Sequence, residues 1–447
     1  MRDLRRRALE SNKTVSRKSA SRIVSGATSK TGSAAASPAQ SRAASRTRGR
    51  PLSDEDDDYL SDGTAWSTNS IDEVLNGEDV ELAEEAWKAE LNKRVEQISN
   101  TKRSSTEGRT ESLNVYAHIL MARYARNEIE GSLGDLIPSI VRSIKQETTD
   151  REAVAALKAL AATVVTLDSD SIYDDVADQL KRSIQSSESM EVKVNAIHAL
   201  GITAFFGGAG DDEVLDIMTL FLEIVESDGG SVEAQDEGNV VTAALEQWGL
   251  LATEIEDLET ETETAMEAFV EQLESADAEV QIAAGENIAL LFEKSYTALE
   301  DDEKVSDEED HDDPEHVPDG EKMVKRYQVY RREDQLLHTL EGLASVSTRH
   351  ISKKDRKTLH SSFADIKNTV AKPTRGPGYS TAIDQETGRA YGGGRMKVRI
   401  SSKVVIKLDK WWKLQRMNAL RRVLQGGFKE HYLHNDMVSS AVPYSIA

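Results

Sequence analysis

Apolar residues recur every three or four positions through most of residues 78–372. The clearest run consists of Leu113, Tyr116, Ala117, Leu120 and Tyr124. Such spacing places apolar side chains on one face of a helix, and that face becomes buried against other helices. Helical spacing stops near residue 300 and resumes at Met323. The pattern therefore predicts a mainly α protein built from amphipathic helices.

Four of these helices share a core of small and aliphatic residues. The segments are Ala156–Leu160, Ala196–Leu200, Ala244–Trp248 and Ala284–Ile288. Their first residues lie 40, 48 and 40 positions apart, which matches the roughly 40–47-residue period of armadillo and HEAT arrays. An ordinary helical bundle with chance spacing is the alternative. The agreement of the intervals favours an armadillo/HEAT-like α-solenoid, in which small residues allow close approach of neighbouring helices.

The pattern changes at residues 397–408, where apolar and basic residues alternate strictly. This alternation is typical of a half-buried strand, or of two short strands that turn at Ser401-Ser402. A basic amphipathic helix follows from Trp411 and stops at Gly426-Gly427. These features predict a small C-terminal domain that contains a short β element.

Composition completes the domain organisation. Residues 1–77 are rich in Ser, Ala, Arg and Thr, and they are too polar to bury a core, so we expect a disordered tail. The acidic run at 300–320 contains two prolines and predicts a disordered insertion. The predicted order is a tail at 1–77, a helical-repeat domain at 78–372, a Gly-rich linker at 373–395 and a small basic domain at 396–447.

Charge is sorted along the chain. The 447 residues carry a formal net charge of −24, divided into +11 for residues 1–50, −49 for residues 51–320 and +14 for residues 321–447. Basic ends suit polyanionic partners, whereas an acidic body repels nucleic acid. This arrangement favours an adaptor over an enzyme.

Several kinds of chemistry find no support in the sequence. The chain contains no cysteine, which excludes disulfides and cysteine-ligated metals. It lacks an apolar run of membrane-helix length and the hydrophobic stretch of a signal peptide. Phosphate-loop, GxSxG and HExxH motifs are missing. We therefore expect no catalytic residues, no cofactor, no metal site, no small-molecule substrate and no membrane association.

The basic helix of the C-terminal block is the main candidate for contact with a polyanion or a protein partner. The candidate residues are Lys413, Arg416, Arg421, Arg422 and Trp412. Exposed cations can lie along phosphates, and a free tryptophan can stack on bases. We expect one of the two adjacent tryptophans to anchor the helix to the last repeat. In the alternative arrangement the basic side faces the acidic solenoid and forms an internal electrostatic clamp.

A weaker motif lies in the N-terminal tail. Arg48, Gly49, Arg50 and Pro51 form the core of an AT-hook, whose arginines enter the minor groove of A·T-rich DNA. Thr47 stands where such motifs usually have proline. A generic basic tail that binds phosphate without sequence preference is the alternative.

Two groups of motifs carry a family resemblance. The first runs from Lys353-Lys354-Asp355-Arg356 to Phe363-Ala364-Asp365-Ile366, and the second from Leu408-Asp409-Lys410-Trp411 through Gln415–Leu420 and Val423–Gly427 to His431–Asn435. Together with the repeat region, they resemble the interferon-related developmental regulator family over most of residues 55–440. The segments 300–320 and 376–394 depart from the family pattern.

The resemblance implies a non-catalytic armadillo-like protein linked to transcriptional coregulation with histone-deacetylase complexes, or to ribosome binding. We therefore predict a non-catalytic adaptor that regulates gene expression in nucleus and cytoplasm and holds a protein partner in the solenoid groove. The alternative is a translational regulator that binds ribosomal RNA through the basic C-terminal block. Contact with DNA through the basic ends is compatible with the charge pattern.

Overall fold

The computed structural model describes seven stretches of the chain: residues 80–100, 105–167, 169–299, 323–345, 353–378, 396–401 and 404–444. The N-terminal tail with its AT-hook-like motif, the acidic insertion and residues 379–395 of the linker lie outside these stretches. The expectations for those segments stay predictions. Among the described helices, none combines the length and the apolar character needed to cross a membrane.

The described residues form helices and two short antiparallel sheets. The elements are α1 (Val80–Ser99), α2 (Thr106–Ala122), α3 (Arg126–Ile129), α4 (Leu133–Gln146), α5 (Asp150–Thr166), α6 (Ile172–Ser186), α7 (Met190–Phe206), α8 (Asp211–Glu226), α9 (Gly238–Ala252), α10 (Glu259–Gln272), α11 (Ala278–Lys294), β1 (Tyr296–Ala298), β2 (Met323–Lys325), α12 (Glu333–Ser345), α13 (Lys353–Ala371), β3 (Met396–Arg399), β4 (Val405–Leu408), α14 (Trp411–Leu424), α15 (Phe428–His434) and α16 (Asp436–Ala441).

The long helices form two layers. An inner layer consists of α2, α5, α7, α9, α11 and α13, each packed against the next. An outer layer consists of α1, α4, α6, α8, α10 and α12, each packed against the inner helix that follows it in the chain. The four small-residue segments fall in α5, α7, α9 and α11. The prediction of an armadillo/HEAT-like α-solenoid is confirmed.

The two layers differ in how their helices are buried. In α5, every residue from Ala153 to Thr166 except Lys158 is buried. In α4, by contrast, the buried residues keep to one stripe that includes Leu136, Ile140 and Ile144. A helix that is buried on nearly all sides needs neighbours on both faces. The inner layer is therefore covered by something besides the outer layer.

The second cover is the C-terminal block. Helix α14 packs against the inner helices α2, α5, α9 and α11, and we call the side of the inner layer that it covers the inner face. Its buried apolar residues are Leu414, Met417, Leu420, Val423 and Leu424. The described residues of the repeats and of the C-terminal block belong to one compact unit.

The β element has the form expected from the alternating pattern. Strands β3 and β4 pair antiparallel, with Val398 opposite Ile406 and Lys397 opposite Lys407. Val398 and Ile406 are buried, whereas Lys397 is exposed. The prediction of a short β element with two strands is confirmed.

A second sheet was not predicted. Strand β1 pairs antiparallel with β2, with Thr297 opposite Val324. Met323 was predicted to begin a helix, and that prediction is wrong, since Met323 lies in β2 and helix α12 begins at Glu333. Strands of three residues are too short to show a period of two, so their apolar positions were mistaken for helical spacing.

Small residues on the inner helices are required by close approach. A Cβ added to Gly201 of α7 would clash with the side chain of Gln247 on α9. Gln247 is buried and donates a hydrogen bond from Nε2 to Nδ1 of His198 at 3.1 Å, which restricts its freedom to move away.

We expect Gly201→Ala to lower the free energy of unfolding by about 1–3 kcal/mol through overpacking. The matched control is Gly342→Ala in α12, where an added Cβ meets nothing within 4 Å. That variant should be more stable than wild type by about 0.5–1 kcal/mol, because alanine favours a helix over glycine. Urea denaturation followed by circular dichroism measures both, and equal effects would contradict the close-approach argument.

Candidate functional site: the docked C-terminal helix

The N-terminus of α14 is capped by a carboxylate from the repeats. Glu293 on α11 is only 6 % exposed, and its Oε2 and Oε1 accept hydrogen bonds from the backbone N–H groups of Trp411 at 2.9 Å and Trp412 at 3.2 Å. The first N–H groups of a helix have no partner within the helix, and the side chain at the N-cap, Lys410, cannot accept their bonds. A negative charge at this end also interacts favourably with the helix dipole.

Trp411 anchors the same end of α14. Its indole ring is 1 % exposed, and Nε1–H donates a hydrogen bond to Oγ1 of Thr369 on α13 at 2.7 Å. Helix α13 is the inner helix of the last described repeat. The prediction that one tryptophan anchors the basic helix to the last repeat is confirmed for Trp411.

Arg416 lies at the centre of the interface. Its Nε donates to Oγ1 of Thr253 at 2.8 Å, and its Nη2 donates to the carbonyl oxygen of Thr253 at 3.0 Å and to Oε1 of Glu254 at 2.6 Å. Its Cζ lies 5.1 Å from the ring centre of Phe205 and 5.0 Å from that of Trp412, within the range of cation–π attraction. Arg416 thus connects α14 to the ends of both α7 and α9.

A polar contact crosses three helices beside Arg416. The buried Gln415 donates from Nε2 to Oδ1 of Asn287 on α11 at 3.4 Å, and Asn287 donates from Nδ2 to the carbonyl oxygen of Leu245 on α9 at 2.8 Å. A Cβ on Gly249 would overlap Asn287 and crowd Gln415. The glycine therefore makes room for the amide contacts that position α14.

The last turn of α14 faces a cluster of charged residues. Arg422 forms an ion pair with Glu246 on α9. Burial, together with the nearby Glu246, raises the pKa of Glu286 on α11 to about 8. On α7, burial and the charge of Arg422 hold the pKa of His198 well below its ordinary value. At neutral pH Glu286 is therefore mostly protonated, and Glu246 is the carboxylate that pairs with Arg422.

The chain beyond α14 docks onto the first repeats. Fully buried His431 donates from Nε2–H to the carbonyl oxygen of Leu120 at 2.7 Å, and burial lowers its pKa to about 4, so that the ring is neutral. Asn435 donates from Nδ2 to the carbonyl oxygen of Val165 at 2.7 Å. Gly427 lies so close to the Met121 carbonyl that a Cβ would clash with it.

The candidate cations are engaged within the protein. Lys413 forms an ion pair with Asp409 at 2.8 Å and is 13 % exposed, while Arg416 is 16 % exposed and Arg422 33 % exposed. Arg421 is half-buried and interacts with its surroundings. Their contact with a polyanion stays a prediction. The described geometry has the form of the alternative arrangement, in which the basic side faces the solenoid.

The residues of the repeats that contact α14 were not predicted from the sequence. Glu293, Asn287 and Glu246 lie more than 100 positions from their partners, and nothing in their local sequence names those partners. One signal was available. Asn287 and Glu293 are buried polar residues on either side of the buried apolar stretch Ile288–Phe292 of α11, and a polar residue at such a position requires a hydrogen-bond partner.

In the part of the chain that the structure describes, the docked helix has a small cavity beside it and no metal-binding cluster. Within the described residues, no group of three or more His, Cys, Asp or Glu side chains is arranged to hold a metal ion. A cavity of about 90 Å³ remains between α14 and helices α2, α5, α7 and α9. Its lining includes His198, Gln247 and Arg422.

Comparison with known proteins places the repeats in a family. Residues 60–371 match the family described as Interferon-related developmental regulator (IFRD). The chain belongs to the IFRD family. It is also 26 % identical over 403 residues to the uncharacterized protein C20F10.03 of Schizosaccharomyces pombe, covering 89 % of this chain and 84 % of that protein. The IFRD match ends at the last residue of α13, so that α14 lies outside it.

The Glu293 cap gives this IFRD protein a pH-dependent interface. Burial raises the pKa of Glu293 from 4.5 to about 7, although the N–H groups of Trp411 and Trp412 lower it in part. The unfolded chain releases this proton near pH 4.5, while the folded chain keeps it up to about pH 7. The stabilisation from this group is therefore greatest at low pH and is lost as the pH rises through that interval.

We expect Glu293→Gln to flatten the decrease in the free energy of unfolding between pH 4.5 and about 7, because glutamine does not titrate. Urea denaturation at several pH values, followed by tryptophan fluorescence, measures this slope. Exposed Glu271 on α10 provides the control variant Glu271→Gln, which should keep the wild-type slope. Parallel profiles for wild type and Glu293→Gln would contradict the proposed titration.

Arg416 should matter for stability far more than an exposed cation. We expect Arg416→Gln to lower the free energy of unfolding by about 2–3 kcal/mol, since charge-assisted hydrogen bonds at a half-buried site are lost. The exposed Lys429→Gln should change it by less than about 0.5 kcal/mol. Similar small effects for both in urea denaturation would show that α14 is not held by this contact.

Proposed function

We propose that the protein is a non-catalytic adaptor that regulates gene expression and uses its inner face to bind a protein partner. Membership of the IFRD family supports a regulatory role. Within the described residues, the functional groups on the inner face are helix-binding groups, with Glu293 at a helix N-terminus and Glu254 and Glu246 on arginines. We propose that the adaptor acts in both nucleus and cytoplasm.

One observation carries this proposal. The inner face holds an amphipathic helix, α14, through spaced polar anchors as well as apolar contacts. Amphipathic helices that dock into grooves through a few anchor residues are a common mode of protein recognition. A surface that binds one such helix within the chain has the chemistry to bind another from a partner.

A second candidate function is RNA binding by the β3–β4 hairpin of the C-terminal block. Lys397 lies directly opposite Lys407 in the hairpin register, and Arg399 follows on the same face. Like charges opposite each other destabilise a strand pair. None of the three forms a described ion pair, in contrast to Arg416 and Arg422. Ribosomal RNA phosphates would offset this repulsion, so the hairpin is a better candidate polyanion site than α14.

Sedimentation distinguishes the two candidates. Lysate containing the full chain is separated on a sucrose gradient, and the chromatin fraction is prepared in parallel. Association with chromatin but not with ribosomes supports the transcriptional adaptor. Co-migration with ribosomes supports the RNA-binding alternative, provided that it is lost when Lys397, Arg399 and Lys407 are changed to Gln.

The variants also predict different salt behaviour. If the hairpin binds RNA, the triple Gln variant should weaken binding and reduce the slope of log affinity against log salt by up to about 2, from roughly 0.7 per phosphate contact. Changing Lys413, Arg416, Arg421 and Arg422 to Gln should instead lower stability and leave that slope nearly unchanged. Fluorescence anisotropy with a single-stranded RNA oligonucleotide measures the slope. If instead the α14 variant reduced the slope and the hairpin variant left it unchanged, the polyanion site would lie on α14.

A further inference from the structure

We infer that the inner face is an exchangeable receptor for basic amphipathic helices, occupied by α14 within the chain and open to a partner helix with the same charge pattern. This inference rests on the proposed function and names the chemistry of the partner. It draws on three contact sites along the inner face, on an unpartnered amide oxygen in a pocket beneath α14 and on a second acidic side chain near the last turn of α14.

The three contact sites define what a partner helix must carry. Glu293 and Thr369 take two backbone N–H groups and an indole N–H at the first turn. The second site binds the guanidinium at position 416, five residues after Trp411, through hydrogen bonds to Thr253 and Glu254 and through the ring of Phe205. Glu246 takes a second guanidinium six residues further on, at position 422. The fitting partner is therefore a helix with tryptophan at its start and arginines at these two spacings, joined by an apolar stripe.

The fit of α14 is incomplete at its last turn. A pocket of about 90 Å³, partly open to solvent, lies between α14 and the inner helices. Gln247 lines this pocket, is 1 % exposed, and has an Oε1 atom without a hydrogen-bond partner. Gln425, also in the lining, has a positive φ of 47°, a region that a residue with a side chain adopts at a cost. A helix that was a permanent part of the core would be expected to fill this pocket and to supply a hydrogen-bond donor to Oε1 of Gln247.

Charge at the same turn is also incompletely matched. Glu246 and Glu286 lie on neighbouring inner helices and both interact with Arg422. From the remaining helix beside them, His198 faces Glu246 with Nε2 at 4.0 Å from Oε2, and its neutral ring adds no positive charge. With a single guanidinium at this turn, Glu286 stays mostly protonated at neutral pH. A partner helix with a second cation near this position would favour the ionised form of Glu286 and add a second ion pair, which α14 does not provide.

Electrostatic attraction favours entry of such a helix. Residues 78–299 carry a net charge of −30, so the repeat array attracts basic segments over distances of about a Debye length. The competitor is α14 itself, which is tethered to the array. A tethered helix acts at an effective concentration of about a millimolar, so a free helix binds measurably once α14 is weakened.

A binding experiment with the full chain tests the inference. The probe is a fluorescently labelled synthetic peptide with the sequence of residues 408–427, and binding is measured by anisotropy. In Arg422→Glu the chain's own α14 loses its ion pair and is repelled by Glu246, so the peptide should bind at least ten-fold more tightly than to wild type. The control is Lys429→Glu, an exposed charge reversal outside the helix, which should leave peptide affinity at the wild-type value.

A charge swap tests the site directly. Full-length Glu246→Arg should reject the wild-type peptide and bind a peptide that carries Arg422→Glu. Circular dichroism confirms that the repeats of each variant are folded. If folded Arg422→Glu gains no affinity, or if the swapped peptide fails to bind folded Glu246→Arg, the inference is wrong.

Hydrogen exchange on the wild-type protein supplies a test that needs no variant. Exchangeable docking predicts that the amides of α14 exchange at least ten-fold faster than those of α9, because α14 opens while the repeats stay folded. Equal protection of α14 and α9 would make α14 a permanent part of the core and would overturn the inference. Such a result would leave the sedimentation outcome unaffected, so failure here and failure of the proposed function can be distinguished.

Discussion

The inner helices must be covered on both sides, and this requirement connects the two ends of the described chain. An outer helix covers one side of each inner helix, while α14 lies across the other side from α11 to α2. Burial of a large apolar side chain stabilises the fold by about 1.5–3 kcal/mol. The apolar stripe of α14 therefore supplies much of the attraction, and its polar contacts determine where along the layer the helix sits.

The sorting of charge along the chain acquires a structural explanation. Positive residues of the C-terminal block meet carboxylates of the acidic repeats at Arg416–Glu254 and Arg422–Glu246. Replacing both members of such a pair by apolar residues would change stability little, since the lost hydration offsets the attraction, whereas removing one member leaves the other without its partner and is costly. Their effect is on register: Arg416 reaches the end of α9 and the ring of Phe205 only at one position of the helix. The pKa of Glu293 is raised because burial at this interface removes water from its carboxylate and so destabilises the charged form.

The sequence was sufficient to predict most of the helices and the β3–β4 hairpin, but neither the β1–β2 sheet nor the contact of α14 with the repeats. The repeat period, the paired strands around Val398 and Ile406, and an anchoring tryptophan all follow from local spacing, because the physical cause of each is local. The docking of α14 depends on pairs such as Trp411–Glu293, whose members are 118 residues apart. Residues of these types also occur on solvent-exposed surfaces, so the residue type alone does not identify the contact. The basic residues of the helix therefore left two arrangements open, contact with an external polyanion or partner and contact with the acidic repeats of the same chain.

The positions of the hairpin and of α14 also connect the two candidate functions. Strand β4 ends at Leu408, and α14 begins at Trp411 after Asp409 and Lys410. A partner helix that displaced α14 from the inner face would therefore move the hairpin that carries Lys397 and Lys407. Anything that binds the hairpin in its docked position would oppose that displacement, because linkage between two sites acts equally in both directions. Partner binding in the groove and anion binding at the hairpin are thus expected to exclude each other, which would let one chain serve either role in turn but not both at once.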